Sequence, residues 1–81
     1  FLFLKLILFV SQYEEAIRYY QQALSIRANN ASAYSALGFT HHLQGDIETA
    51  IEYYHNALSI SPEDTFTIEV LNLALSEVVF C

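Results

Sequence analysis

Residues 14–26, EEAIRYYQQALSI, return 34 positions later as residues 48–60, ETAIEYYHNALSI, with nine of thirteen positions identical. Internal similarity at a period of this size marks one supersecondary unit stacked on copies of itself. A single unit cannot bury its apolar face alone, so neighbours must cover it. Ala16, Tyr20, Ala23 and Leu24 fall at i, i+4, i+7 and i+8, one face of a helix, and Ala50, Tyr54, Ala57 and Leu58 repeat the pattern. Alanines at the first and third of these positions let a neighbouring helix approach closely, while the tyrosine ring fills the space beyond. An ordinary amphipathic helix explains that face. It does not explain the recurrence.

Composition closes off the alternatives. Hydrophobic residues make up 54% of the chain, with two glycines and one proline. Disorder requires far less apolar content, and a strand-and-turn architecture requires more turn residues. A further helix is predicted from about Ala31 to Leu43, with Tyr34, Leu37, Gly38 and His41 on one face. Glycine inside a helix costs about 1 kcal/mol relative to alanine, so Gly38 points to close contact with a partner helix. Gln44-Gly45-Asp46 reads as a turn, with Gly45 at the stop and Asp46 as N-cap. Asn30 and Asp64 are expected to cap the two following helices, Ser11 and Glu14 read as a capping box, and Pro62 stops the helix ending near Ile60.

These residues identify an all-α chain that resembles the tetratricopeptide repeat family. Tyr34, Leu37, Gly38, Ala50, Tyr54, Ala57 and Pro62 stand where that family's pattern has an aromatic, Leu, Gly, Ala, an aromatic, Ala and Pro. His41 departs from the usual Tyr, Tyr34 from the commoner Trp, and Ala28 from Pro. The resemblance implies antiparallel helix-turn-helix units. Residues 31–64 form one complete repeat, and residues 13–30 the second helix of a partial repeat that uses Ala16, Tyr20 and Ala23 for packing. Residues 65–77 start the next repeat, and 78–81 are a tail.

The ends differ from this pattern. FLFLKLILFV at residues 1–10 is too short to span a bilayer, which needs about 20 apolar residues. As a signal peptide it lacks an initiating Met, a basic lead-in and a cleavage site. Residues 1–12 are therefore an atypical first repeat helix, lacking Gly at Leu4, or a gene-model artefact. In the second reading Phe1–Val10 and Val78–Cys81 are translated intron edges flanking an exon of about Tyr13 to Glu77.

The net charge is −6, and Lys5, Arg18 and Arg27 are the only basic residues besides histidine. With no basic stripe, neither nucleic acid nor an anionic membrane surface is an expected partner. One cysteine, Cys81, excludes an internal disulfide and fits an intracellular setting. Catalysis needs convergent titratable groups. His41 and His42 are adjacent and so project about 100° apart on a helix; His55 lies on the other helix, and no cysteine or carboxylate spacing completes a metal set. No enzyme activity, cofactor or metal is expected. His41 reads as a half-buried packing residue and His42 as facing solvent or a groove, while Glu14, Glu15, Glu48 and Glu52 read as first-turn residues favoured by the helix dipole.

In tetratricopeptide arrays the first helix of each repeat lines a concave groove. Carried over by position, that groove holds Ser32, Ser35, Ala36, Phe39 and His42, with Leu43 beside them, and Phe66, Glu69, Val70 and Leu73 from the next helix; Tyr34 joins the expected partner-binding residues. The Lys, Asn and Arg used by repeats that clamp a C-terminal carboxylate are missing. An apolar or extended peptide anchored by Phe39 and Phe66 is the expected ligand, unless these rings only pack against adjacent repeats.

The runs Ala31-Ser32-Ala33-Tyr34-Ser35-Ala36, Tyr53-Tyr54-His55-Asn56-Ala57-Leu58 and Asp64-Thr65-Phe66 go beyond the generic pattern. Residues 13–77 resemble the C-terminal repeats of the subunit-six family of the anaphase-promoting complex. That resemblance implies a non-catalytic scaffold of a mitotic ubiquitin ligase, acting in nucleus and cytoplasm. It also implies homodimerisation of the full-length protein, and other subunits, an extended peptide and further repeats of the same chain as partners. The alternatives are a generic adaptor or co-chaperone, or a repeat segment flanking a glycosyl- or prenyltransferase domain.

Overall fold

A computed structural model describes the backbone of residues 2–79 and the side chains of residues 12–78. Four helices follow one another: α1 (Leu2–Ile26), α2 (Ala31–Leu43), α3 (Ile47–Ile60) and α4 (Thr65–Val79). Each packs on its neighbour in sequence, and α2 also touches α4. α1 and α3 thus carry the two copies of the recurring run, residues 14–26 and 48–60, and α2 and α4 are the helices between and after them.

The caps explain where the helices start and stop. Asn30 Oδ1 accepts the Ala33 N–H at 3.1 Å, and Asp46 Oδ1 accepts the Thr49 N–H at 3.4 Å. At the end of α2 the Asp46 N–H donates to the His41 carbonyl and the Gly45 N–H to the His42 carbonyl. This paired closure places the residue after the cap in the left-handed region, and Gly45 sits there at φ 90°. At the head of α4 the Asp64 carbonyl accepts the Ile68 N–H, while its carboxylate takes the Thr67 hydroxyl at 2.7 Å.

Two expectations at the N-terminal side fail. α1 runs without interruption from Leu2, so no helix begins at Ser11 and Ser11-Glu14 is not a capping box. Glu14 and Glu15 consequently lie in mid-helix, not in a first turn; Glu48 does occupy the first turn of α3, whereas Glu52 lies beyond it, in the second turn. A helix needs a breaker to stop, and between Leu2 and Ile26 there is neither glycine nor proline. Cys81, and the side chain at Leu4, lie outside the described residues.

The core forms where α3 is covered from both sides. Ala50, Tyr54 and Ala57 on α3, Leu37 on α2 and Ala74 on α4 are essentially inaccessible, and Val70 and Leu71 join Ala50, Tyr54 and Ala74 in one cluster. The matching residues of α1, Ala16, Tyr20 and Ala23, are only half-buried, because α2 covers them on one side alone. Gly38 accounts for the closeness of α2 and α3. A Cβ there would lie 2.6 Å from both Cδ1 and Cε1 of Tyr54 and 3.1 Å from the Ala50 carbonyl oxygen. The glycine exists so that the Tyr54 ring can lie against backbone.

Candidate protein-interaction groove

Ala31, Ser32, Ala33, Ser35 and Ala36 give α2 small side chains on either side of Tyr34, and α1, α3 and α4 all touch this helix. Where α2 and α4 face each other, a concavity of about 310 Å³ opens. It is lined by Tyr20 of α1, Ser32, Ser35, Ala36, Phe39 and Thr40 of α2, and Asp64 and Phe66 at the head of α4. Phe39 and Phe66 meet edge to face at a centroid distance of 5.8 Å, yet remain 39% and 50% exposed. The paired rings thus present an apolar platform to solvent at the mouth of a polar-edged recess.

Beneath that platform runs a short buried polar chain. Thr67, wholly inaccessible, donates its hydroxyl to Asp64 Oδ2 at 2.7 Å. Its oxygen is left to accept from Ser35, 2.8 Å away on α2. A buried hydroxyl must be satisfied, so this Ser35–Thr67–Asp64 chain fixes the register of α2 against α4 and hence the spacing of Phe39 and Phe66.

A second polar chain ties three helices together. His42 of α2 lies 2.9 Å from Glu77 Oε2 of α4 through Nε2, and 3.3 Å from the Tyr54 hydroxyl of α3 through Nδ1. Burial, assisted by the charge of Glu77, pushes the Tyr54 phenol up to about 12. The Glu77 carboxylate can only accept, so Nε2–H donates to it, and in the neutral imidazole Nδ1 then accepts from the Tyr54 hydroxyl. Tyr54 is wholly buried, so no substrate reaches it. The chain clamps α2, α3 and α4 to one another.

Of the residues expected in the groove, Ser32, Ser35, Ala36, Phe39 and Phe66 come together in the concavity, while Glu69 is exposed outside its lining. Tyr34 does not: its ring lies 6.3 Å from Tyr53, on the side of α2 facing α3. Nor does His42, whose half-buried side chain is taken up by Tyr54 and Glu77 rather than facing solvent or the groove. Val70 is buried in the core, whereas Leu43 and Leu73 are exposed. His41 stacks on Tyr53 at 5.4 Å, with Nδ1 3.6 Å from Asp46 Oδ2. Among the described residues no three His, Cys, Asp or Glu side chains converge on a common point. No described helix is long and apolar enough to cross a membrane.

Thr67, Asp64 and Glu77 were not singled out by sequence as partners of groove residues. A signal was present: first helices of successive repeats lie side by side, so residues about one repeat apart are neighbours. Ser35 and Thr67 are 32 apart, and His42 and Glu77 are 35 apart.

Helix order, caps and the glycine–tyrosine contact define a helical-repeat protein. Residues 31–64 match the tetratricopeptide repeat and residues 11–45 a related TPR repeat description. The chain belongs to the tetratricopeptide repeat family. It is similar to anaphase-promoting complex subunit 6 of Dictyostelium discoideum, 57% identical over 65 residues, 80% of this chain and 7% of that protein. It is also similar to anaphase-promoting complex subunit 6 of Arabidopsis thaliana, 49% identical over 63 residues, 78% of this chain and 12% of that protein. The cell division cycle protein 16 homolog of Homo sapiens is 44% identical over 63 residues, 78% of this chain and 10% of that protein. The chain thus spans about a tenth of the length of these relatives.

Proposed function

We propose that this segment is part of a non-catalytic scaffold subunit of the anaphase-promoting complex, acting in mitotic cell-cycle control through protein–protein contacts. The observation that carries the binding mode is the Phe39–Phe66 pair, half-exposed at the mouth of the α2–α4 concavity. Exposed aromatic rings beside polar groups are the usual anchors for an extended segment of a partner. The similarity to subunit 6 of two organisms supports the choice of assembly. The whole protein is then a homodimer within a large complex, working in nucleus and cytoplasm. Ser32 and Ser35 line the recess beside the rings, and among the described residues Asp64 is the only charged one lining it. A carboxylate-clamping co-chaperone role is disfavoured on that ground, since like charge repels a terminal carboxylate.

The test is affinity purification of the full-length protein containing this segment, with and without Phe39→Ala and Phe66→Ala together. Other subunits of the ligase should accompany the unmodified protein, and at least one should be lost or depleted in the double variant. Purification without any ligase subunit defeats the assembly. Full retention of every subunit by the folded double variant defeats the aromatic anchor.

A further inference from the structure

The turn between α3 and α4 is Ser61-Pro62-Glu63-Asp64. Pro62 ends α3, and Ser61 closes it through its backbone N–H, which donates to the Ala57 carbonyl at 2.9 Å. The Ser61 hydroxyl takes no part in that closure. It reaches Glu63 Oε1 at 3.5 Å, well beyond the roughly 2.5–3.0 Å of a good O–H···O bond. Other hydroxyls are better engaged. Ser25, Ser59 and Ser76 each donate to a carbonyl of their own helix, and Ser35 and Thr67 are buried against each other. Among the described residues Ser61 is the only serine or threonine outside a helix.

The backbone at Ser61 is extended, with φ −130° and ψ 79°, because a following proline disfavours the α region. Proline has a fixed φ and no N–H to satisfy, so an enzyme pocket that offers no acceptor at that position selects it. Pro62 and Glu63 are exposed and Ser61 is half-buried, so the Ser-Pro pair is open to an approaching enzyme. We propose that Ser61 is the acceptor site of a proline-directed serine/threonine protein kinase. Ser61 Oγ attacks the γ-phosphorus of ATP, the bond from that phosphorus to the ADP oxygen breaks, and the hydroxyl proton passes to a base of the kinase.

The phosphate brings about 1.5–2 negative charges at pH 7 to a place that repels them. α3 points its carbonyl end here and has no basic side chain in its last turn, so its dipole opposes an anion. The Glu63 carboxylate lies 3.5 Å from the oxygen that would carry the phosphate. Asp64 is tied to the same turn, its N–H donating to the Ser61 carbonyl at 3.3 Å. Asp64 in turn accepts from Thr67, which meets Ser35 on α2. Phosphorylation of Ser61 therefore loosens the start of α4. Where Phe39 and Phe66 anchor a partner it weakens that anchor too, and this last step alone rests on the function proposed above.

The test incubates the full-length protein containing this segment with ATP and two purified proline-directed kinases, one of the cyclin-dependent and one of the mitogen-activated class. Modified sites are read by tandem mass spectrometry. At least one kinase should place phosphate on Ser61, and Pro62→Ala should slow that modification about tenfold or more. A synthetic peptide of residues 56–67, with Pro62 or with Ala in its place, makes the same comparison where folding plays no part. Modification of the peptide but not of the folded protein overturns the proposal. So does modification of neither, or modification that survives Pro62→Ala unchanged. Hydrogen exchange of the phosphorylated protein then reads the loosening: amides of residues 64–68 should exchange about two- to fivefold faster than without phosphate. Unchanged or slower exchange refutes that effect. Neither readout involves Phe39 or Phe66, so failure of the aromatic anchor and failure of the Ser61 site are told apart.

Discussion

Gly38→Ala is the most informative single substitution. In a solvent-facing helix it would stabilise by about 1 kcal/mol, because alanine gains helix propensity. Here the new methyl meets two Tyr54 ring carbons at 2.6 Å and the Ala50 carbonyl oxygen at 3.1 Å. Tyr54 cannot swing aside cheaply, being wholly buried with its hydroxyl engaged by His42. Overpacking costs about 1–3 kcal/mol, and contact with a ring and backbone oxygen together favours the upper half of that range. Subtracting the propensity gain leaves a net loss of about 1–2 kcal/mol. For a chain of this size that is a fall of about 4–16 °C in melting temperature. Circular dichroism melts at 222 nm measure it directly. In a Tyr54→Leu background the ring is gone, so Gly38→Ala should be neutral or stabilising there, and the difference between backgrounds measures the contact. A rise in melting temperature for Gly38→Ala alone would refute the close packing of α2 on α3.

Three further outcomes follow from the polar chains and caps. Thr67→Val keeps the shape but strands the Ser35 hydroxyl and one Asp64 oxygen, so it should cost about 1–3 kcal/mol in urea unfolding, against about 0.5–1.5 for Ser35→Ala; the reverse ranking would contradict the chain Ser35–Thr67–Asp64. Tyr54 has its folded value raised to about 12 from 10.0. Its contribution to stability is full below pH 10, where folded and unfolded phenols are both protonated, and is lost as pH rises from 10 through 12. Ultraviolet titration should show Tyr54 ionising late, with Tyr54→Phe removing that late step; unchanged titration would exclude the burial described. Asn30→Ala should lose about 1 kcal/mol by uncapping α2, read by thermal melting; an unchanged melting temperature would contradict the Asn30–Ala33 cap.

The sequence by itself determined the repeat, because a helical face recurs every three or four residues and the 34-residue period is written directly in residues 14–26 and 48–60. Gly38 could be read as a point of close approach, since an interior helical glycine is costly without one, and Gly45 as a helix stop. Phe39 and Phe66 could be placed on successive first helices for the same reason. Only the tertiary structure decided what those residues meet. That the Gly38 space belongs to Tyr54, that Ser35 reaches Thr67, and that His42 turns from the groove to join Tyr54 and Glu77 all depend on how the helices cross. Local periodicity carries no information about crossing. The uninterrupted α1 makes the same point from the other side: Ser11 and Glu14 have the composition of a helix start, but composition cannot start a helix where the chain ahead is already helical.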